Sequence, residues 1–130
     1  MTKPKILIVD DEPDVVTMIG HALASEEMES IAAYDGISAL DIAEAEAPDV
    51  ILLDIMMPMM SGYEVCQQLK ANPETRHIPI ICVTSAQSTE AFARCRTAGA
   101  NALLTKPFSP AELIAQIQRQ LAKTEEQETT

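Results

Sequence analysis

Hydrophilic residues stand where apolar runs stop. Asp10 and Asp11 follow Ile6–Val9, Asp54 follows Val50–Leu53, Thr84 follows Ile80–Val83, and Lys106 comes just after Ala102–Leu104. Three acids, a hydroxyl and an amine form a reactive set if one place collects them. Carboxylates about 4 Å apart repel by roughly 4 kcal/mol per pair at an effective dielectric of about 20, so three together need neutralising. A hard divalent cation does this. Oxygen ligands, few in number and leaving room for water, suit Mg²⁺ better than Ca²⁺, which takes more oxygens, or Zn²⁺, which prefers imidazole or thiolate. Neither His21 nor His77 stands at the end of an apolar run. With Mg²⁺ bound, one carboxylate attacks a phosphoryl group, cation and ammonium neutralise its equatorial oxygens, and the hydroxyl hydrogen-bonds one of them. The inventory fits phosphorylation of an aspartate.

Positioning these residues requires an ordered scaffold. Ile6–Val9, Ile31–Tyr34, Val50–Leu53, Ile80–Val83 and Ala102–Leu104 read as strands, each brief and bounded by turn or charged residues. Val15, Val16, Ile19 and Leu23 form one helical apolar face, and Leu113, Ile114, Ile117 and Leu121 another. Ser61 to Glu64 and Ser109 to Glu112 are capping boxes, the second with Pro110 at the first helical position. Ile37 to Ala47 is Ala-rich and stops before Pro48, and Thr89 to Ala98 ends at Gly99. Strict alternation of five strands and five helices predicts an α/β fold with one parallel sheet covered on both faces. In such a sheet the carboxyl ends of the strands share one edge, where ligands bind. Asp10, Asp11, Asp54, Thr84 and Lys106 should converge there.

With 130 residues the chain is sized for one domain, and residues 1–123 are expected to form it, with 124–130 a polar, frayed tail. Twenty acidic and nine basic residues give a formal charge of -11, which repels phosphate backbones and argues against direct nucleic-acid binding. No apolar stretch is long enough to span a bilayer, and Ile6–Val9 is too short for a secretory signal, so an intracellular location is expected. Cys66, Cys82 and Cys95 are odd in number and widely spaced, which fits core packing rather than a disulfide framework or zinc knuckle.

In these residues the chain resembles the receiver domains of two-component response regulators, including CheY-like single-domain members. Asp10-Asp11 resembles the family's acidic pair, Asp54 in Leu53-Asp54-Ile55-Met56-Met57-Pro58 its phosphoacceptor, Thr84-Ser85 its switch hydroxyl, and Lys106-Pro107-Phe108 its Lys-Pro. The resemblance implies a flavodoxin-like strand order of 2-1-3-4-5. It also implies Mg²⁺ held by Asp11, Asp54 and the Met56 main-chain carbonyl, with Asp10 acting through water and Lys106 paired with the phosphoryl group. It implies a cis Lys106-Pro107 bond, a histidine kinase or histidine phosphotransfer protein as donor, and a downstream protein target on the fourth helix, fifth strand and fifth helix. A cytoplasmic monomer or weak homodimer, without membrane insertion, goes with that reading. One departure is Leu103, where the family commonly has an aromatic switch residue. Met56 and Ala86 stand where the family tunes water access, and neither orients an attacking water, so slow self-dephosphorylation is expected.

Plainer readings compete at each position. Asp10 and Asp11 could cap the helix near Pro13, Lys106 could be a surface lysine, Thr84 a β-branched strand residue, and Arg94 and Arg96 solvated side chains. Asp54 resists such a reading, because a carboxylate ending the most apolar strand is costly without a cation or hydrogen-bond partner. Met56, Met57, Met59 and Met60 suit packing or an adaptable contact surface better than soft-metal binding. A flavodoxin-like cofactor binder would need amides and hydroxyls after the first strand, where Asp10-Asp11-Glu12-Pro13 stands instead. A phosphatase would need a second acid two residues after Asp54, where Met56 stands. A stand-alone regulator is favoured over a receiver excised from a larger protein.

Overall fold

Alternate residues of the central strands face opposite ways and, Lys5 aside, all are buried, so each strand needs cover on both sides. The computed structural model, which describes residues 3–85 and 89–129, supplies that cover. Five strands, β1 (Lys5–Val9), β2 (Glu29–Ala33), β3 (Val50–Asp54), β4 (Ile80–Thr84) and β5 (Ala102–Thr105), alternate with five helices. These are α1 (Pro13–Ala24), α2 (Gly36–Glu46), α3 (Gly62–Ala71), α4 (Thr89–Ala98) and α5 (Pro110–Thr129). The strands pair in parallel in the order β2-β1-β3-β4-β5. Order reverses between β1 and β3, and this opens a crevice at their carboxyl ends.

Two apolar layers follow from the alternation. Leu7, Val9, Ile51, Leu53, Ile80 and Cys82 pack with Ala39 and Ala43 of α2, Val65, Cys66 and Leu69 of α3, and Cys95 and Ala98 of α4. Ile6, Ile8, Val50, Leu52, Ile81 and Val83 pack with Val16, Ile19 and Leu23 of α1 and Leu113, Ile114 and Ile117 of α5. Each buried Leu, Ile or Val contributes roughly 1.5–3 kcal/mol. The three cysteines lie in the first layer, all free and buried, and Cys66 donates its S–H to the Ala98 carbonyl at 3.4 Å.

Local signals explain the helix ends. Ser61 Oγ accepts the Glu64 N–H at 3.3 Å and Ser109 Oγ accepts the Glu112 N–H at 3.1 Å, as the capping boxes require. Gly99, at φ +102°, terminates α4 in a conformation open to glycine. At α2 the cap is Asp35, whose Oδ1 accepts the Ser38 N–H at 2.8 Å. Most boundaries shift by a single residue from the sequence reading, and the two larger departures are at β2 and α5. β2 runs Glu29–Ala33 instead of Ile31–Tyr34, because an edge strand tolerates exposed Glu29 and Ser30 while pairing begins at Lys5 with Glu29. α5 continues to Thr129 through the segment expected to fray, which contains no Gly or Pro to stop it.

Gly62 opens α3 directly beneath the end of β3. A Cβ there would collide with the Asp54 carbonyl oxygen and lie 2.6 Å from Ile55 Cα, both backbone atoms that have no room to yield. Gly62→Ala is expected to cost about 3 kcal/mol or more by urea unfolding, within the range for severe overpacking. Gly20→Ala, in α1 with Ser30 Oγ at 3.4 Å as the nearest atom, should change stability by less than about 1 kcal/mol and in the favourable direction. Equal effects at the two positions would contradict the close approach at Gly62.

Candidate phosphoacceptor site

The crevice at the carboxyl edge of β1, β3 and β4 collects the acids. Asp10 immediately follows β1 and is 3% exposed; Asp54 ends β3 and is 5% exposed. Their negative charge meets the ammonium of Lys106. Lys106 Nζ lies 3.4 Å from Asp10 Oδ2 and 4.0 Å from Asp54 Oδ1, so a residue just after β5 reaches back across the edge to both. Main-chain amides complete the arrangement. Asp10 Oδ1 accepts the Glu12 N–H at 2.9 Å, and Asp54 Oδ1 accepts the Met56 N–H at 3.2 Å. The helix-capping alternative for Asp10 therefore fails: Asp10 holds the turn before α1, whose N-cap is Glu12 with no side-chain cap bond.

Asp54 remains under electrostatic strain. Burial, followed by the Asp10 charge, pushes its carboxyl up from 3.8 to about 6, opposed by Lys106 and the Met56 N–H, with Asp11 adding to the rise. A carboxylate raised this far is short of positive charge, which an incoming cation would supply. Oxygens of Asp10, Asp11 and Glu12 lie within 4.8 Å of one another beside it. This donor set, all hard oxygen, fits Mg²⁺.

Thr84 ends β4, is 1% exposed, and its carbonyl accepts the Lys106 N–H at 2.9 Å, so hydroxyl and amine carriers are joined through the main chain. The Lys106-Pro107 bond is cis. A cleft of about 600 Å³ opens above Asp54, lined by Glu12, Met18, Met56, Ser85, Lys106 and Phe108 among others. Met56, 68% exposed, stands at its wall. The position of Ala86 lies outside the described residues. Sequence reasoning placed Asp10, Asp11, Asp54, Thr84 and Lys106 at this edge. It missed Glu12 as a member of the acidic cluster, although an unbroken Asp10-Asp11-Glu12 run was the available signal. Arg94, expected to be merely solvated, stacks over the Tyr63 ring with its guanidinium carbon 3.9 Å from the centroid.

A doubly wound parallel sheet whose crevice gathers acidic side chains around a lysine defines a class of α/β modules suited to binding cations and phosphoryl groups. Residues 6–118 match the response regulator receiver domain, and the chain belongs to that family, a receiver module of two-component phosphorelays. It is 40% identical over 113 residues to the response regulator PleD of Caulobacter vibrioides, covering 87% of this chain and 25% of that protein. Among solved structures, the chemotaxis response regulator CheY4 of Vibrio cholerae is similar with TM-score 0.87 and 34% identity, covering 92% of this chain and 100% of that one. The receiver domain of the sensor histidine kinase PA1611 from Pseudomonas aeruginosa PAO1, described with a magnesium ion in its active-site cleft, is similar at TM-score 0.86 and 34% identity. That likeness covers 93% of this chain and 99% of that one. The chain spans between a quarter and about half the length of the curated relatives it matches. Among the described residues no helix is long and apolar enough to cross a membrane.

Proposed function

We propose that Asp54 accepts a phosphoryl group from the phosphohistidine of a histidine kinase or histidine phosphotransfer protein. The observation that carries this reading is the Lys106 ammonium lying between Asp10 and Asp54, 3.4 Å from one and 4.0 Å from the other. A carboxylate oxygen of Asp54 attacks phosphorus, the P–N bond to the donor imidazole breaks, and the imidazole leaves with the bonding electron pair. Lys106 steadies the charge on the transferring group, and the Thr84 hydroxyl donates to one of its oxygens once transfer is complete. Asp11, Asp54 and the Met56 carbonyl would hold Mg²⁺, with Asp10 acting through water, and the cation would further neutralise the phosphoryl oxygens.

Phosphorylation then shifts the population of conformers, and α4, β5 and α5 present the result to a protein target. The functional unit is residues 1–123, working in the cytoplasm as a monomer or weak homodimer. It serves either as a stand-alone regulator or as the receiver of a larger protein, as in the similar receiver of PA1611.

Intact mass after incubation with acetyl phosphate tests the reading. One phosphoryl per chain is expected with Mg²⁺ and none with EDTA; uptake indifferent to divalent cations would overturn it. Dephosphorylation is expected to be slow, because Met56 lines the cleft and its thioether neither donates a hydrogen bond to an attacking water nor removes its proton. Met56→Asn should shorten the phosphoryl half-life by several-fold in a mass-spectrometric decay series. A longer half-life in the variant would contradict that role.

A further inference from the structure

We infer that Glu12 is an outer acidic member of the cation shell, setting how tightly the cleft holds a divalent cation. The inference rests on the reading above that the cleft binds Mg²⁺, and it adds a residue which that reading does not use. Of the three acids whose oxygens lie within 4.8 Å of one another, Asp10 is already engaged on both sides. Its Oδ1 accepts the Glu12 N–H at 2.9 Å and its Oδ2 faces Lys106 Nζ at 3.4 Å. Both carboxylate oxygens of Asp10 are thus engaged within the protein.

Glu12 is differently placed. As the N-cap of α1 it makes no side-chain cap hydrogen bond, and it lines the same cleft as Asp54, Met56 and Lys106. Its main chain is fixed: besides the N–H held by Asp10, its carbonyl accepts from the N–H groups of Val15 at 3.1 Å and Val16 at 3.2 Å. A negative charge is therefore tethered at the mouth of the cleft by a rigid backbone. Because Glu12 is exposed, it acts across water, so it alters cation affinity without replacing a direct ligand. One unit charge about 5 Å from a divalent cation, in surroundings near the dielectric of water, changes affinity by about tenfold at low ionic strength.

Calorimetric titration of the 130-residue protein with MgCl₂ at low ionic strength tests this, comparing the parent with Glu12→Gln, Asp14→Asn and Asp11→Asn. Asp14 is an exposed acid in the first turn of α1 outside the three-residue cluster, so its variant removes the same charge from a neighbouring position. The Mg²⁺ Kd is expected to rise about five- to tenfold in Glu12→Gln and less than about twofold in Asp14→Asn. Equal changes in those two variants would overturn the role of Glu12. If Asp11→Asn still abolished binding in that case, the reading of the cleft would stand. A parent protein that binds no Mg²⁺ would overturn both.

Discussion

The Asp54→Asn variant is expected to take up no phosphoryl group from acetyl phosphate and Mg²⁺ under conditions that label the parent chain once. The loss should be complete within detection, because an amide oxygen at this position is a poor nucleophile and, among the described residues, no second acid ends β3. Asp10 is tied to Lys106 and the Glu12 N–H, and neither it nor Asp11 ends the central strand beside the switch point. Structure should survive the change. The asparagine oxygen can still accept the Met56 N–H, and Lys106 keeps Asp10 as its nearer partner. Intact mass reads the label, and circular dichroism with a thermal melt verifies the fold. One phosphoryl on the folded variant would move the acceptor to another side chain.

Much of this architecture is written in short-range pattern. The central strands β1, β3 and β4 are visible as apolar runs because the sheet buries both of their faces, leaving no polar alternation to obscure them. Helix α4 is bounded as read, at Thr89 and Ala98, because Gly99 supplies the left-handed residue that ends it. The edge strand β2 was displaced because burial is weak there and backbone pairing sets its limits. Strand order is a different kind of information. Periodicity says that five strands share a sheet, and nothing in it places β1 between β2 and β3. That order came from resemblance carried by the motifs.

The site divides along the same line. Asp54 is legible alone, since its burial at the end of Val50–Leu53 demands compensation. Asp10 and Lys106 become informative only as a pair, when separation by 96 residues in sequence becomes 3.4 Å in space. Glu12 entered the sequence reading only as part of a run unsuited to cradling phosphate, and the turn held by Asp10 is what brings its carboxylate into the cluster.

The strain at Asp54 has a measurable thermodynamic consequence. Without divalent cations, Asp54→Asn is expected to be more stable than the parent near neutral pH by about 3 kcal/mol, an order-of-magnitude figure for a carboxyl raised from 3.8 to about 6. The side chain is only 6% exposed, so solvent screening does little to reduce it. The sign follows from proton uptake. Between 3.8 and 6 the folded parent binds this proton more strongly than the unfolded chain does, so rising pH withdraws stability from the parent. The variant lacks that titration. Its advantage should therefore be near zero below about pH 4, grow through about pH 4–6, and level off above about pH 6. For a chain of this size the plateau corresponds to about 10 °C in Tm. Added Mg²⁺ should narrow the gap by stabilising the parent, by about 2.7 kcal/mol at one hundred times its Kd. Urea unfolding of both proteins across this pH range, with and without Mg²⁺, measures each part. Parallel stability curves from acid to neutral pH would mean that Asp54 carries no such strain, and the cation would then need another source for its affinity.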